Sequence, residues 1–307
     1  MKTIATAQID WPHIGHVAFA GGGNRCWWQG GVCDQLIERG WTLPRHLSGT
    51  SAGIAIAASL AVGRAHDALG PCAELYKTNP HLLERLVPTQ RRWQFAHDRI
   101  YPAWLDSFLT PQRWLQSQTR AADFRHELHI AVGRFRGPQW PQLATSLGLG
   151  AYLFDKFVLR QTHPVLPRHL GLAIEFFHAH QQTPLTDLRR WLIAAAAASP
   201  VLNSPPLNGK LAMDGGFCDN APVASLTAPN TASNTASNTK AKDQVLVLLT
   251  RYNPRLPSVF KVGLRNYWQP SHAIKVSTWD CTPGTDIASA YAHGQADAKR
   301  CLAANPI

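Results

Sequence analysis

Apolar residues in the first part of the chain come in short blocks separated by glycine turns. Residues 16–20, His-Val-Ala-Phe-Ala, form a compact apolar run that predicts a buried strand. The run leads straight into Gly21-Gly22-Gly23-Asn24-Arg25. Residues 26–39 place Trp27, Val32, Leu36 and Ile37 at mixed three- and four-residue spacing, which predicts a helix, and Gly40 suits its stop. A short lead-in then reaches Gly49-Thr50-Ser51-Ala52-Gly53, and the alanine- and isoleucine-rich residues 54–62 predict a second helix. Strand, glycine turn, helix, strand, sharp turn, helix is a βαβα unit. It predicts an α/β fold with a parallel sheet covered by helices.

The pattern then loosens. Prolines at 71, 80, 88, 102 and 111 break residues 65–128 into short helices and loops. Residues 128–132 alternate weakly and predict a strand, and residues 141–180 read as helical, with loops at Thr162-His163-Pro164 and Leu166-Pro167. Thr183-Pro184 reads as the N-cap and first position of a helix over 185–198, stopped by Ser199-Pro200. A short apolar run ends on Asp214, just before Gly215-Gly216. Residues 227–243 are a low-complexity tract with the near-repeat Asn-Thr-Ala-Ser, which predicts a flexible surface loop. Residues 244–250 and 273–279 predict two more strands, and 287–304 an alanine-rich closing helix.

Composition narrows the class. With 307 residues, 45% of them hydrophobic and 16% charged, the chain can bury a sizeable core, and a single catalytic domain over 1–307 is expected. Net charge is +11, which favours anionic partners without choosing among nucleic acid, acidic lipid headgroups and anionic substrates. Trp93, Trp104 and Trp114 stand among many arginines inside residues 65–184. That region reads as a variable helical cap or lid that touches a membrane surface, or else as core tryptophans under a solvated arginine face. No nucleic-acid-binding motif accompanies the basic residues, and no nucleic acid is expected. The six cysteines include no Cys-x-x-Cys pair, which argues against a zinc ribbon or thioredoxin-type motif and suits reduced thiols in the cytoplasm. Residues 1–12 lack the apolar core of a signal peptide, and no run reaches the ~18 apolar residues that span a bilayer. The expectation is a cytoplasmic chain that at most lies on a membrane.

The candidate chemistry centres on Ser51. Gly-x-Ser-x-Gly between a strand and a helix projects the serine hydroxyl above the sheet, toward the N-terminal amides of the helix. Gly49 and Gly53 leave room for the tight backbone. The triple glycine has two readings. As a dinucleotide loop it lacks the third glycine, because Cys26 stands there, and no acidic residue closes the second strand. As an oxyanion loop, Gly21, Gly22, Gly23, Asn24 and Arg25 turn backbone N–H groups toward one point beside the next strand's end, where Ser51 sits. Arg25 either touches substrate or holds the loop by hydrogen bonds. Asp214 is another polar residue presented at a strand end.

Three motifs in one order, Gly21-Gly22-Gly23-Asn24-Arg25, Gly49-Thr50-Ser51-Ala52-Gly53 and Asp214-Gly215-Gly216, resemble the patatin-like phospholipase family. Ala198-Ser199-Pro200 and Asp219-Asn220-Ala221-Pro222-Val223 match the family's surroundings of these motifs. The resemblance is close over 16–63, good over 185–250 and thin over 65–184. Cys26 departs from it, since the family often has glycine after the arginine. The resemblance implies a three-layer α/β/α sandwich with a mainly parallel sheet. It implies a Ser51–Asp214 dyad without a catalytic histidine, an oxyanion hole from residues 21–25, and supporting glycines 49, 53, 215 and 216. The implied substrate is a fatty-acyl ester of a phospholipid or lysophospholipid, with peripheral contact to anionic membranes. No cofactor and no metal are expected. The alternatives are an α/β-hydrolase-type esterase or thioesterase with a Ser-His-Asp triad, for which His272 and His293 are candidates, and a non-catalytic lipid-binding protein on the same fold.

Overall fold

The computed structural model describes residues 5–87, 92–119, 125–137, 163, 166–180, 182–198, 201–223 and 244–307, with isolated positions between 143 and 154. In chain order the elements are β1 (Ile14–Phe19), α1 (Trp27–Glu38), β2 (His46–Gly49), α2 (Ser51–Val62), α3 (Ala65–Lys77), β3 (Leu83–Val87), β4 (Arg92–Phe95), α4 (His97–Phe108), α5 (Pro111–Thr119), β5 (Glu127–Phe135), α6 (Leu166–His169), β6 (Leu172–Ala179), α7 (Leu185–Ala195), β7 (Met213–Asp214), β8 (Gln244–Leu248), β9 (Val259–Val262), β10 (Arg265–Trp268) and α8 (Ile287–Ala304).

One sheet organises them, in the order β6-β5-β2-β1-β8-β10-β9, with β7 paired to β5. The centre, β5-β2-β1-β8-β10, is parallel, and β6, β7 and β9 run antiparallel to their neighbours. The central strands are apolar on both faces because both are covered. Val17, Phe19, Leu47, Ile130 and Leu248 pack beneath α1–α5, α7 and α8. Ala18, Val245, Val247, Phe260 and Tyr267 form the second face with Ala221 and Val223, and Phe135, Phe217 and Leu147 of a helical stretch extend it. The result is the expected three-layer sandwich with a mainly parallel sheet.

Several local expectations differ from the structure, among them the loop expected at Leu166-Pro167, which instead opens the short helix α6. Residues 172–179 form strand β6, not helix, pairing antiparallel with β5 from Leu128↔Ala179 to Phe135↔Leu172. β6 is an edge strand with half-buried and exposed positions on both faces, so its apolar pattern lacks clean alternation. The rest of the helix expected over 141–180 falls largely outside the described residues. Residues 273–279 form no strand. Their carbonyls are taken by the glycine loop instead: Asn24 N–H donates to Thr278 O at 3.2 Å and Asn24 Nδ2 to Ser277 O at 2.9 Å. Thr183 does not cap α7. Its Oγ1 accepts the His180 N–H at 3.0 Å, and the helix stops at Ala195, because Ala197 O receives the Asp214 N–H at 2.9 Å. Ser199-Pro200 and the tract 227–243 lie outside the described residues.

Trp104 and Trp114 are buried in the main core, where their indole N–H groups donate to Ala68 O and Thr183 O. They are not presented to an interface. All six cysteines are free thiols, five of them buried. Among the described residues no helix is long and apolar enough to cross a membrane.

Candidate active site

Ser51 opens α2 directly after β2. It is one of two described non-glycine residues with positive φ, at 54°. A left-handed serine is sparsely allowed, and its strain is held by packing on both sides. Gly49 and Gly53 make that packing close. A Cβ on Gly49 would lie 2.8 Å from Phe19 O, and one on Gly53 would lie 2.5 Å from Ala20 O. The turn therefore rests on the end of β1, where the triple glycine begins. No described residue accepts the N–H groups of Ser51, Ala52 and Gly53, as befits a helix start.

The glycine loop bends beside this serine. A Cβ on Gly21 would meet Ser51 Cβ at 3.0 Å. Gly23 adopts φ +55° and has Thr278 O where a Cβ would sit, so only glycine fits. Three N–H groups of the loop are committed: Gly21 to Asn220 O at 2.9 Å, Asn24 to Thr278 O, and Arg25 to Gly22 O at 3.3 Å. The N–H groups of Gly22 and Gly23 have no acceptor among the described residues. Arg25 Nε also donates to Gly22 O, at 3.5 Å, which matches a loop-holding role. The Asn24 side chain is an anchor too: it bridges Ser277 O and Asp280 O and accepts from the Tyr76 hydroxyl at 2.7 Å. Cys26 fits without opening the turn, its buried thiol donating to Ala20 O at 3.5 Å.

Asp214 ends β7 beside β5 and is buried. Its Oδ1 accepts the Gly216 N–H at 2.7 Å and the Thr50 hydroxyl at 3.4 Å, and the neighbouring Ser51 hydroxyl also favours the charged carboxylate. Burial outweighs these donors and pushes the Asp214 pKa up to about 6. Gly215 is needed here, because a Cβ would lie 2.5 Å from Thr50 Oγ1 and from Ala131 O. The structure thus brings Ser51, Asp214 and the five loop residues together.

Thr50, Asn220 and Thr250 are site residues to which the motifs assign no role. Asn220 Nδ2 and Thr250 Oγ1 both donate to Gly21 O, at 3.0 and 2.7 Å, and lock the loop from the far side of the sheet. His272 and His293 are elsewhere: they stack on each other at 3.9 Å, and His293 pairs with Asp297. Ser51 lines a narrow cavity of about 60 Å³ whose other walls include Trp27, Ile56, Ile100, Tyr101, Trp104 and Leu202. His97 is also in its wall. Burial pushes the His97 pKa down to about 4.

A family model described as patatin-like phospholipase matches residues 17–227. No curated protein matches the chain. Among solved structures, that of VipD from Legionella pneumophila is similar at a TM-score of 0.46 and 13% identity, covering 99% of this chain and 70% of its own.

Proposed function

The chain belongs to the patatin-like phospholipase family, and on that premise we propose that it is a serine acyl hydrolase acting on fatty-acyl esters of lipids. Ser51 is the nucleophile and Asp214 its base. The observation that carries this reading is the contact of a left-handed Ser51, at the head of α2, with a buried carboxylate whose pKa is lifted to about 6. A carboxylate at its ordinary pKa is a weak base for a serine hydroxyl, and burial makes this one stronger.

Ser51 Oγ attacks the ester carbonyl carbon while its proton passes to Asp214. The carbonyl oxygen becomes an oxyanion beside the uncommitted N–H groups of Gly22 and Gly23 and the N-terminus of α2. Each such donor supports the barrier reduction on the order of 3 kcal/mol. The alcohol leaves with a proton from Asp214, and an acyl-Ser51 ester remains. Water, deprotonated by Asp214, then cleaves that ester and restores Ser51. The apolar cavity walls suit an acyl chain rather than a polar headgroup.

The test combines a fluorophosphonate probe with mass spectrometry of products from mixed phospholipids and lysophospholipids. Wild type labels at Ser51 and releases fatty acid, and Ser51→Ala does neither. Folded wild-type protein that neither labels nor releases fatty acid would leave the lipid-binding alternative standing.

A further inference from the structure

Four histidines that the ester chemistry does not use stand side by side on the second face of the sheet, toward the end of β2 away from Ser51. His16 lies on β1, His46 on β2, His129 on β5 and His178 on β6, which are consecutive strands. The registers set His16 opposite His46, His46 opposite Glu127 and His129 opposite His178. The rings follow, with centroids 4.9 Å apart for His16 and His46, 5.4 Å for His46 and His129, and 5.0 Å for His129 and His178.

Three donor atoms converge within this row. His46 Nδ1 is 3.2 Å from His129 Nε2 and 3.4 Å from Glu127 Oε2, and one ligand atom from each residue lies within 4.8 Å of the others. Ligands at about 2.0–2.1 Å from a tetrahedral zinc ion stand roughly 3.3–3.4 Å from one another. Two of the three edges therefore already have ligand–ligand length. Two imidazoles and one carboxylate form a donor set that suits zinc and leaves a fourth position for water. His129 is buried, whereas the His46 and Glu127 side chains are 33% and 29% exposed, so an ion has a route in.

The surrounding groups orient these atoms. Glu127 Oε1 accepts Arg45 Nε at 3.0 Å, which leaves Oε2 to face the histidines. His129 Nδ1 is 2.8 Å from His178 Nδ1. A His129 ring that coordinates through Nε2 carries its proton on Nδ1 and donates it to His178, which fixes both tautomers.

We propose that His46, Glu127 and His129 bind one divalent transition-metal ion of the zinc class, with His178 supporting His129 by a hydrogen bond. The ion ties β2 to β5 and is a cross-strand staple, separate from ester hydrolysis. It stabilises the folded chain by mass action, because the unfolded chain does not assemble the site. The proposal does not depend on the role of Ser51.

Metal-stripped, tag-free full-length protein is titrated with ZnCl2 by calorimetry, with MgCl2 as control, and its melting temperature is followed. The expected result is one zinc per chain at a micromolar or tighter Kd, with a rise in melting temperature. Glu127→Gln and His129→Gln are each expected to weaken binding at least tenfold, and His178→Ala by about 10–100-fold. Each variant is compared at matched circular dichroism. The part-exposed Glu127→Gln carries the comparison if His129→Gln does not fold. Cobalt(II) loading separates this cluster from the six thiols: nitrogen and oxygen ligands give visible d–d absorption without a thiolate charge-transfer band. The proposal is overturned by wild type that takes up no zinc at micromolar concentration, by unchanged binding in folded Glu127→Gln, or by a thiolate band in the cobalt adduct.

Discussion

Gly21 and Ser51 are packed so closely that a Cβ on the glycine would stand 3.0 Å from the serine Cβ. The two residues lie on neighbouring turns, at the ends of β1 and β2. Their contact sets the position of the Gly22 and Gly23 amides relative to Ser51. Gly21→Ala must displace one of the two turns, and it also presses on Asn220 Oδ1 at 2.9 Å. A misplacement of about 1 Å at a reacting centre costs on the order of 100-fold. The expected outcome is a loss of kcat/KM of that size, at a stability cost of about 1–3 kcal/mol. Esterase kinetics and urea unfolding on the same preparation separate the two effects.

Asp214 predicts opposite effects of one substitution on activity and on stability. Its folded pKa of about 6 lies above the ordinary 3.8, so the native state holds the proton more tightly than the unfolded chain. The sign follows. Stability linked to this group is greatest below pH 3.8 and falls as pH rises through 6, by about 3 kcal/mol at most for a shift of about two units. Asp214→Asn removes the buried charge. At pH 8 it is expected to raise unfolding stability by about 1–3 kcal/mol while abolishing hydrolysis, and the gain shrinks toward zero at pH 4. In wild type, kcat/KM is expected to rise with pH to half its plateau near 6, because Asp214 as the proposed base must be ionised. A falling profile through pH 6 would contradict Asp214 as the base.

The legible parts of this molecule are those written in adjacent residues. Gly49, Ser51 and Gly53 declare a sharp turn because the backbone constraint acts over five positions. Asp214 before Gly215-Gly216 is legible for the same reason. The locks on the glycine loop are not: Asn220 and Thr250 reach Gly21 only in the folded sheet, where β8 lies beside β1. Residues 273–279 have the composition of a strand, yet their backbone groups are spent on Asn24, a partner far away in the chain. The β9–β10 hairpin turns at Gly263, φ +59°, and its alternation over four residues is too short to stand out. The histidine row has no spacing motif at all, since each member sits on a different strand.

His97 discriminates between a dyad and a triad. It is the histidine in the cavity wall beside Ser51, whereas His272 and His293 pair with each other elsewhere. Burial moves His97 and Asp214 in opposite directions, to about 4 and about 6, so the carboxylate is the stronger base of the two. Its Nδ1 lies 4.0 Å from Cys281 Sγ, and no carboxylate orients the ring by a hydrogen bond among the described residues. His97→Ala is therefore expected to change kcat/KM by less than about tenfold, against the 10⁴-fold or larger loss typical of a deleted nucleophile and expected of Ser51→Ala. Equal losses in the two variants would establish His97 as the base.

Asp34 carries a prediction about the scaffold that holds the site. It is a fully buried carboxylate on α1 that accepts the His66 N–H at 2.8 Å, the Ala65 N–H at 3.3 Å and the Tyr291 hydroxyl at 2.7 Å, and it pairs with Arg64 Nε at 3.1 Å. One side chain thus satisfies the orphan amides that open α3 and ties α1 to α8. Asp34→Ala leaves two helix-start donors and a hydroxyl without their acceptor and removes one of the two carboxylates that pair with Arg64. A broken buried pair costs about 3–5 kcal/mol, whereas Asp34→Asn keeps the shape and one acceptor and is expected to cost less, about 1–3 kcal/mol. Urea unfolding of both variants measures the difference. Because Asp34 is outside the Ser51 cavity wall, the folded fraction of Asp34→Asn is expected to keep its kcat. The ranking distinguishes an acceptor whose charge matters from one that only fills space: an Asp34→Asn cost near zero would mean that the negative charge on Asp34 contributes nothing to holding the three helices together, and equal costs for the two variants would mean that the charge carries the whole effect.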